Sequence, residues 1–397
     1  MEINREDIFV VVAVAAASPL LADLSRRVRV PIVVAEIVLG IIVGPQVLGL
    51  AASDDFIAGL ATLGLAFLFF LAGLEIEFEK VRGVALRLGG IGWGISLALG
   101  LALATVLWLC GLIDAPILVG LALTTTALGT LMPILRDAGV LSERFGNYVI
   151  GAGAIGEFGP VVVVSIILAL EAGEPWRTAL LFVFAAVAAL VTLVATKTQP
   201  KRVVRLIEST MGTSGQVAVR LTLVVLVGLA VLASEFGLDV ILGAFAAGII
   251  VGFVTRGSTE SGEFEAKLDA LSYGFLIPIF FISTGMTFNL DALLESPAAL
   301  ALVPGFALLF LLVRGVPALY LYRDELETSD RRALALLTAS ALPLLVAITE
   351  IGTDAGVMRE AEAVALVGAG MVSVLLFPLL ALALRARPLE QRPQALQ

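Results

Sequence analysis

Thirteen stretches of roughly 20 predominantly apolar residues follow one another along this chain, and few architectures can accept that pattern. They cover about 8–23, 30–50, 56–74, 87–112, 115–136, 146–171, 177–196, 217–234, 238–255, 268–288, 297–322, 331–350 and 361–385. With 59% hydrophobic residues among 397, a water-soluble core could not hide the apolar surface. The bilayer must act as the solvent, and stretches of this length satisfy their own backbone groups there as helices. The expected fold is therefore an all-α polytopic membrane protein with 13 transmembrane helices. The net charge of −9 says little about partners, because charge in such a chain sits in loops. The N-terminus has no basic region before its first apolar run, so that run reads as a first span and not a removed signal.

Lysine and arginine sort by loop. Of the 25, the loops after odd-numbered stretches and the C-terminal tail hold 21. The opposite side holds only Arg5, Arg177 and Arg359, and Arg314 alone lies within a stretch away from its ends. An error of one in the count would invert every later loop, so the asymmetry supports thirteen spans with the N-terminus outside and the C-terminus cytoplasmic. A multi-pass protein of a bacterial-type inner (cytoplasmic) membrane is expected.

The chain also resembles itself. Gly40-Ile-Ile-Val-Gly44 recurs as Gly248-Ile-Ile-Val-Gly252, and Phe69-Phe-Leu-Ala-Gly73 matches Phe280-Phe-Ile-Ser-Thr284. Leu123-Thr-Thr-Thr-Ala-Leu128 matches Leu337-Thr-Ala-Ser-Ala-Leu342. The three offsets are 208, 211 and 214, and the order is kept. Paired stretches lie seven apart; seven is odd, so the copies face opposite ways. Such inverted repeats, about 8–171 and 217–385 around a linker helix at about 177–196, belong to secondary transporters. In the third pair Gly129 aligns with Pro343, and both residues break helices. Hydroxyls cluster before each: Thr124, Thr125, Thr126 and Thr338, Ser340. Matched interrupted spans point to a midplane site, where hydroxyls and freed carbonyls can replace a cation's water shell. The plainer reading is that these hydroxyls bond back to their own helices.

Glu157 lies in Gly151-Ala-Gly-Ala-Ile-Gly156-Glu-Phe-Gly-Pro160, at a depth of roughly 16 Å from Gly146. An ionisable group at the membrane centre is costly and commonly marks an ion or proton pathway. Arg314, in the eleventh stretch, is expected to compensate charge or steady the unwound region. Glu36 and Glu350 are possible pathway residues. The chain has no histidine, so any proton chemistry must run on carboxylates, Lys, Tyr or the single Cys110. One cysteine excludes an intrachain disulfide, and no catalytic residues, cofactor or nucleic-acid partner are expected.

At these residues the chain resembles the cation:proton antiporter superfamily, in particular the monovalent cation:proton antiporter-2 family, the sodium/hydrogen exchanger membrane domain. The resemblance rests on Ala35-Glu-Ile-Val-Leu-Gly-Ile-Ile-Val-Gly-Pro45, Phe69-Phe-Leu-Ala-Gly-Leu-Glu-Ile76, Phe280-Phe-Ile-Ser-Thr-Gly-Met286 and Ala347-Ile-Thr-Glu-Ile-Gly352. It implies thirteen spans, crossed broken helices 5 and 12, a homodimer and elevator-type motion. It also implies an ion site where the family carries an acidic, Asn-Asp or Gln-Asp pair, with a Lys or Arg in the eleventh span. Gly156-Glu157 and Arg314 stand at those positions, so the first polar residue is replaced by glycine and Asp by Glu. Many relatives carry a further cytosolic nucleotide-binding domain, which is not expected here. The function expected is exchange of H+ for Na+ or K+ at Glu157, with Thr125, Thr126, Ser340 and Gly156 around the cation and no net charge moved. The alternatives are a proton-independent gated cation channel and a non-transporting membrane sensor.

Overall fold

A computed structural model describes residues 4–24, 31–75, 83–140, 143–171, 215–235, 240–255, 261–294 and 296–385, and among them every regular element is helical. The helices are α1 (Arg5–Leu24), α2 (Ile32–Val43), α3 (Asp55–Glu75), α4 (Val84–Leu109), α5 (Pro116–Ala122), α6 (Leu128–Asp137) and α7 (Arg144–Glu171). Then follow α8 (Val217–Glu235), α9 (Val240–Thr255), α10 (Ser261–Leu271), α11 (Ile277–Thr287), α12 (Leu290–Leu294) and α13 (Pro297–Phe310). Last come α14 (Val316–Leu321), α15 (Thr328–Thr338), α16 (Pro343–Asp354) and α17 (Glu360–Arg385). Each apolar stretch that falls on the described residues is helical; the seventh, 177–196, lies outside them. Eight helical runs among the described residues are long and apolar enough to cross a membrane. The second stretch yields a shorter helix than its apolar run because Pro31 sits before the first turn and Pro45 follows the end at Gly44.

The chain divides into two compact units, one of Met1–Glu77 with Val161–Leu290, the other of Phe78–Pro160 with Asp291–Gln397. In the first unit α2 packs on α11 and α3 on α9. Glycines let these backbones touch. A Cβ on Gly40 would run into the carbonyl oxygen of Ile282, and one on Gly285 into that of Ile37. The second pair repeats the arrangement: Gly248 against the carbonyl of Phe70, and Gly73 against that of Phe245. Small residues at such crossings replace the hydrophobic driving force that lipid does not supply. Gly73 and Gly285 thus play the same part, and so do Phe70 and Ile282. The packing register of this pair is 212, one more than the sequence match of 211.

In the second unit α4 is a lining helix. It buries Gly89, Gly92, Ser96, Gly100 and Ala104, spaced three or four apart, while Ile91, Ile95, Val106 and Trp108 stay exposed on other faces. A Cβ on Gly89 would lie 2.7 Å from the Gly151 carbonyl of α7, and one on Gly100 would lie 2.6 Å from that of Gly120 in α5. The fifth and twelfth stretches are interrupted, as expected: residues 123–127 separate α5 from α6, and 339–342 separate α15 from α16. Pro343 opens α16, and Leu342 before it leaves helical geometry at φ −153°. The first break differs from expectation. Gly129 is not its hinge: it is already the second residue of α6, and the break lies upstream at the threonines. No proline forces that opening; hydrogen bonds from other helices hold it.

A π-turn over Leu311–Gly315 joins α13 to α14. Pro317 explains part of it, since the ring removes the donor that the Val313 carbonyl would meet. The Ser96 hydroxyl of α4 donates to that carbonyl instead, at 2.8 Å. The turn carries Arg314.

Candidate functional site

Both breaks belong to the second unit and are tied to each other through their backbones. The Ala127 amide donates to the Ser340 carbonyl at 2.7 Å. The Thr126 amide donates to the Gly156 carbonyl of α7 at 3.0 Å. That carbonyl is free for a reason written in the sequence: Pro160, four residues on, has no N–H to offer it. At the second break the Ala341 amide donates to the Ser373 hydroxyl of α17 at 3.0 Å, and Ser373 donates to the Gly370 carbonyl at 2.7 Å. Unwound backbone in a membrane must find such partners.

Arg314 sits in this crossing, 4% exposed. Its Nη2 donates to Thr126 Oγ1 at 2.8 Å and to the Ala152 carbonyl at 3.1 Å; its Nε donates to Thr126 Oγ1 at 3.1 Å and the Thr338 carbonyl at 3.3 Å. Thr126 Oγ1 in turn donates to the Thr338 carbonyl at 2.6 Å. One guanidinium therefore joins the first break, the second break and α7. It does not snorkel to an interface.

Glu157 is 4% exposed on α7. A Cβ on Gly129 would lie 3.8 Å from its Oε1, so the carboxylate stands against the first turn of α6, the positive end of that helix. Gly129 thus contributes space beside the carboxylate, where the sequence suggested a break. Thr124 and Thr125 donate to their own helix at Leu121 and Ala122, both at 2.7 Å, and Ser340 donates to Leu336 at 3.3 Å. These three hydroxyls do bond back locally, yet each keeps oxygen lone pairs that those bonds do not use. Thr126 is different: its proton and both lone pairs are engaged.

The structure brings Glu157, Thr125, Thr126, Gly156, Ser340, Arg314, Gly129 and Pro343 into one unit. Glu36 belongs to the other unit, 3% exposed on α2, with Ser18 of α1 donating to its Oε1 at 3.5 Å. Glu350 is exposed on α16 within the site's own unit. Three participants escape a reading of the sequence alone. Ser373 and Ser96 are fully buried hydroxyls that hold freed backbone groups. Glu362, 2% exposed, accepts from the Asp114 amide at 2.9 Å just before α5. Ser373 had one available signal: at the offset of 217 that aligns Gly151-Ala-Gly with Gly368-Ala-Gly, it is the counterpart of Gly156.

Comparison with known proteins agrees with this fold. A structure of the sodium proton antiporter MjNhaP1 from Methanocaldococcus jannaschii superposes with a TM-score of 0.70 at 18% identity, over 96% of this chain and 99% of that one. It shows the fold. A Bacillus subtilis (strain 168) relative, YjbQ, named for Na(+)/H(+) antiport, is 28% identical over 389 residues. The match takes in 93% of this chain but spans only 61% of that relative's length. The Na(+)/H(+)-K(+) antiporter GerN of Bacillus cereus is 26% identical over 300 residues, 72% of this chain and 73% of its own. The model of the sodium/hydrogen exchanger transmembrane family matches residues 12–382, and this multi-pass membrane protein belongs to that family.

Proposed function

We propose that this chain is a secondary active carrier that exchanges H+ for a monovalent cation, Na+ or K+, at Glu157. The observation that carries the proposal is a carboxylate buried in a membrane-spanning helix and set against the opening turn of a broken helix. An ionised carboxylate at such a place is costly. It is neutralised by a proton or by a cation, and the two exclude each other because they compete for the same oxygens. The cation draws its remaining oxygens from Thr125, Ser340 and carbonyls freed at the breaks; hard cations prefer such ligands. Thr126, with its hydroxyl fully engaged, holds the crossing in place. The names of the matched relatives, which cite Na+, K+ and H+, agree with this substrate class.

Arg314 stays protonated, so one titrating carboxylate exchanges one proton for one cation and no net charge moves. Transport proceeds by elevator-type alternating access between the two faces of the inverted repeats, in a homodimer of the cytoplasmic membrane. The test is a pH-gradient assay in proteoliposomes, adding Na+, K+ or Li+ in turn to wild type and Glu157→Gln. Cation-triggered proton movement that vanishes in the variant is the expected result. Cation flux without proton movement would favour a channel, and no response in folded wild type would favour a sensor.

A further inference from the structure

Gly156 precedes Glu157 on α7, and the structure shows what fills the space beside it. A Cβ at Gly156 would lie 2.5 Å from Thr126 Oγ1 and 2.8 Å from Thr126 Cβ, and would collide with Arg314 Nη2. The space a side chain would use is filled by the guanidinium and the threonine it binds. At the repeat-related position, Ser373 uses its own hydroxyl to hold the Ala341 amide and so steadies the second break. Gly156, the counterpart of Ser373, has no side chain to offer the first break. Besides its backbone bonds to Gly156 and Ser340, that break is tied by Arg314, delivered by the π-turn at Leu311–Gly315.

We propose that Gly156 is a positioning residue whose missing side chain seats Arg314 permanently in the crossing, so that a fixed guanidinium stands beside the helix that carries Glu157. This deepens the antiport reading and rests on it for its transport consequences, though its packing consequence does not. Any side chain at 156 must displace both Nη2 and the Thr126 side chain that Nη2 pins. The guanidinium cannot give way cheaply: it is buried, and its acceptors come from three separate segments. Lysine cannot substitute, because its single ammonium lacks the planar fork that reaches Thr126, Ala152 and Thr338 together.

The test is a double-mutant cycle on the full chain with Gly156→Ala, Arg314→Lys and both. Thermal unfolding is measured in detergent and cation-driven proton movement in proteoliposomes. Gly156→Ala alone should lower the unfolding midpoint by several degrees and exchange by about tenfold. In the Arg314→Lys background, where Nη2 no longer fills the space, the same change should cost less than about half as much in either measure. Unseating the positive charge beside α7 should also move the acid limb of the exchange profile to higher pH, by about half a unit or more. A purely structural effect would leave that midpoint in place. Equal effects of Gly156→Ala in both backgrounds would overturn the proposal, as would a silent Gly156→Ala. So would failure of the double variant to recover folding when Gly156→Ala does not fold. Should wild type exchange no cation, the transport reading falls, and the unfolding cycle still decides whether Gly156 seats Arg314.

Discussion

A threonine hydroxyl has one proton and two lone pairs, and Thr126 uses all three between Arg314 and the Thr338 carbonyl. Thr126→Val keeps the shape but leaves buried donors of the guanidinium without their acceptor. A loss of about 1–3 kcal/mol is expected, read as a lowered unfolding midpoint in detergent, while Thr126→Ser should stay near wild type. Thr125 gives the opposite result. Its hydroxyl bonds only to its own helix at Ala122. Thr125→Val should therefore leave the unfolding midpoint nearly unchanged and raise the apparent KM for the cation by about tenfold, the loss of one ligand oxygen at about 1.4 kcal/mol. A Thr125 variant with unaltered cation dependence would remove it from the cation shell. Glu157 and Arg314 were legible in the sequence because charge inside an apolar stretch is costly and hence rare. Thr126 was legible as one of three hydroxyls but not as the engaged one. A sequence gives the residue types at a crossing, whereas which lone pairs are spent depends on a carbonyl more than 200 positions away.

Helices in the first unit meet through glycine, and this makes their packing testable. Gly73 of α3 lies against the Phe245 carbonyl, while Gly59, on the same helix, has nothing within 4 Å of where its Cβ would stand. Gly73→Ala should cost about 1–3 kcal/mol or more, because two backbones must part. Gly59→Ala should be neutral or slightly stabilising in the same unfolding measurement, since alanine is the better helix former. At one end of the second unit, the start of α7 is tied to the loop after α14. Tyr148 donates to Glu325 at 2.6 Å, Arg144 pairs with the same carboxylate, and Tyr148 packs edge-on against Tyr322. The Tyr148 hydrogen bond, and after it the charge of Arg144, hold the Glu325 carboxyl below the usual range. A depressed carboxyl stabilises the fold above its unfolded pKa, and the contribution is lost as pH falls through the folded value. Acidification from about pH 5 to about pH 3 should therefore lower the unfolding midpoint of wild type more than that of Glu325→Gln. Element types were readable from apolar run length. Element ends were less so: the first break sits upstream of Gly129 because hydrogen bonds from Gly156 and Ser340 open the chain there, and no local residue announces them.

Within each unit, loops that the sequence reading puts on the same side of the membrane contact one another. Asn4 meets Asp54, Gln46 meets Asn289, and Asp114 pairs with Arg359 and donates its amide to Glu362; all these loops were assigned to the outer side. Glu143 and Asp330 both pair with Arg385, and Arg144 pairs with Glu325; these loops were assigned to the inner side. Such pairs would be impossible between loops on opposite faces of a bilayer, so they support an alternating path within each unit. They do not say which face is cytoplasmic. That rests on the excess of Lys and Arg on one set of loops, a bias that insertion respects. The single cysteine offers a direct reading. Cys110 is exposed at the end of α4, beside the turn at Gly111, and belongs to the outer set. Asp324, with a side chain 83% exposed, belongs to the inner set. A membrane-impermeant maleimide should label wild type in right-side-out vesicles and spare it in inverted ones. In a Cys110→Ser background, Asp324→Cys should show the reverse. Labelling of both cysteines from one face would break the alternating path, and a swap of the two patterns would invert the molecule. In that case the two faces of the exchange proposed at Glu157 would be swapped.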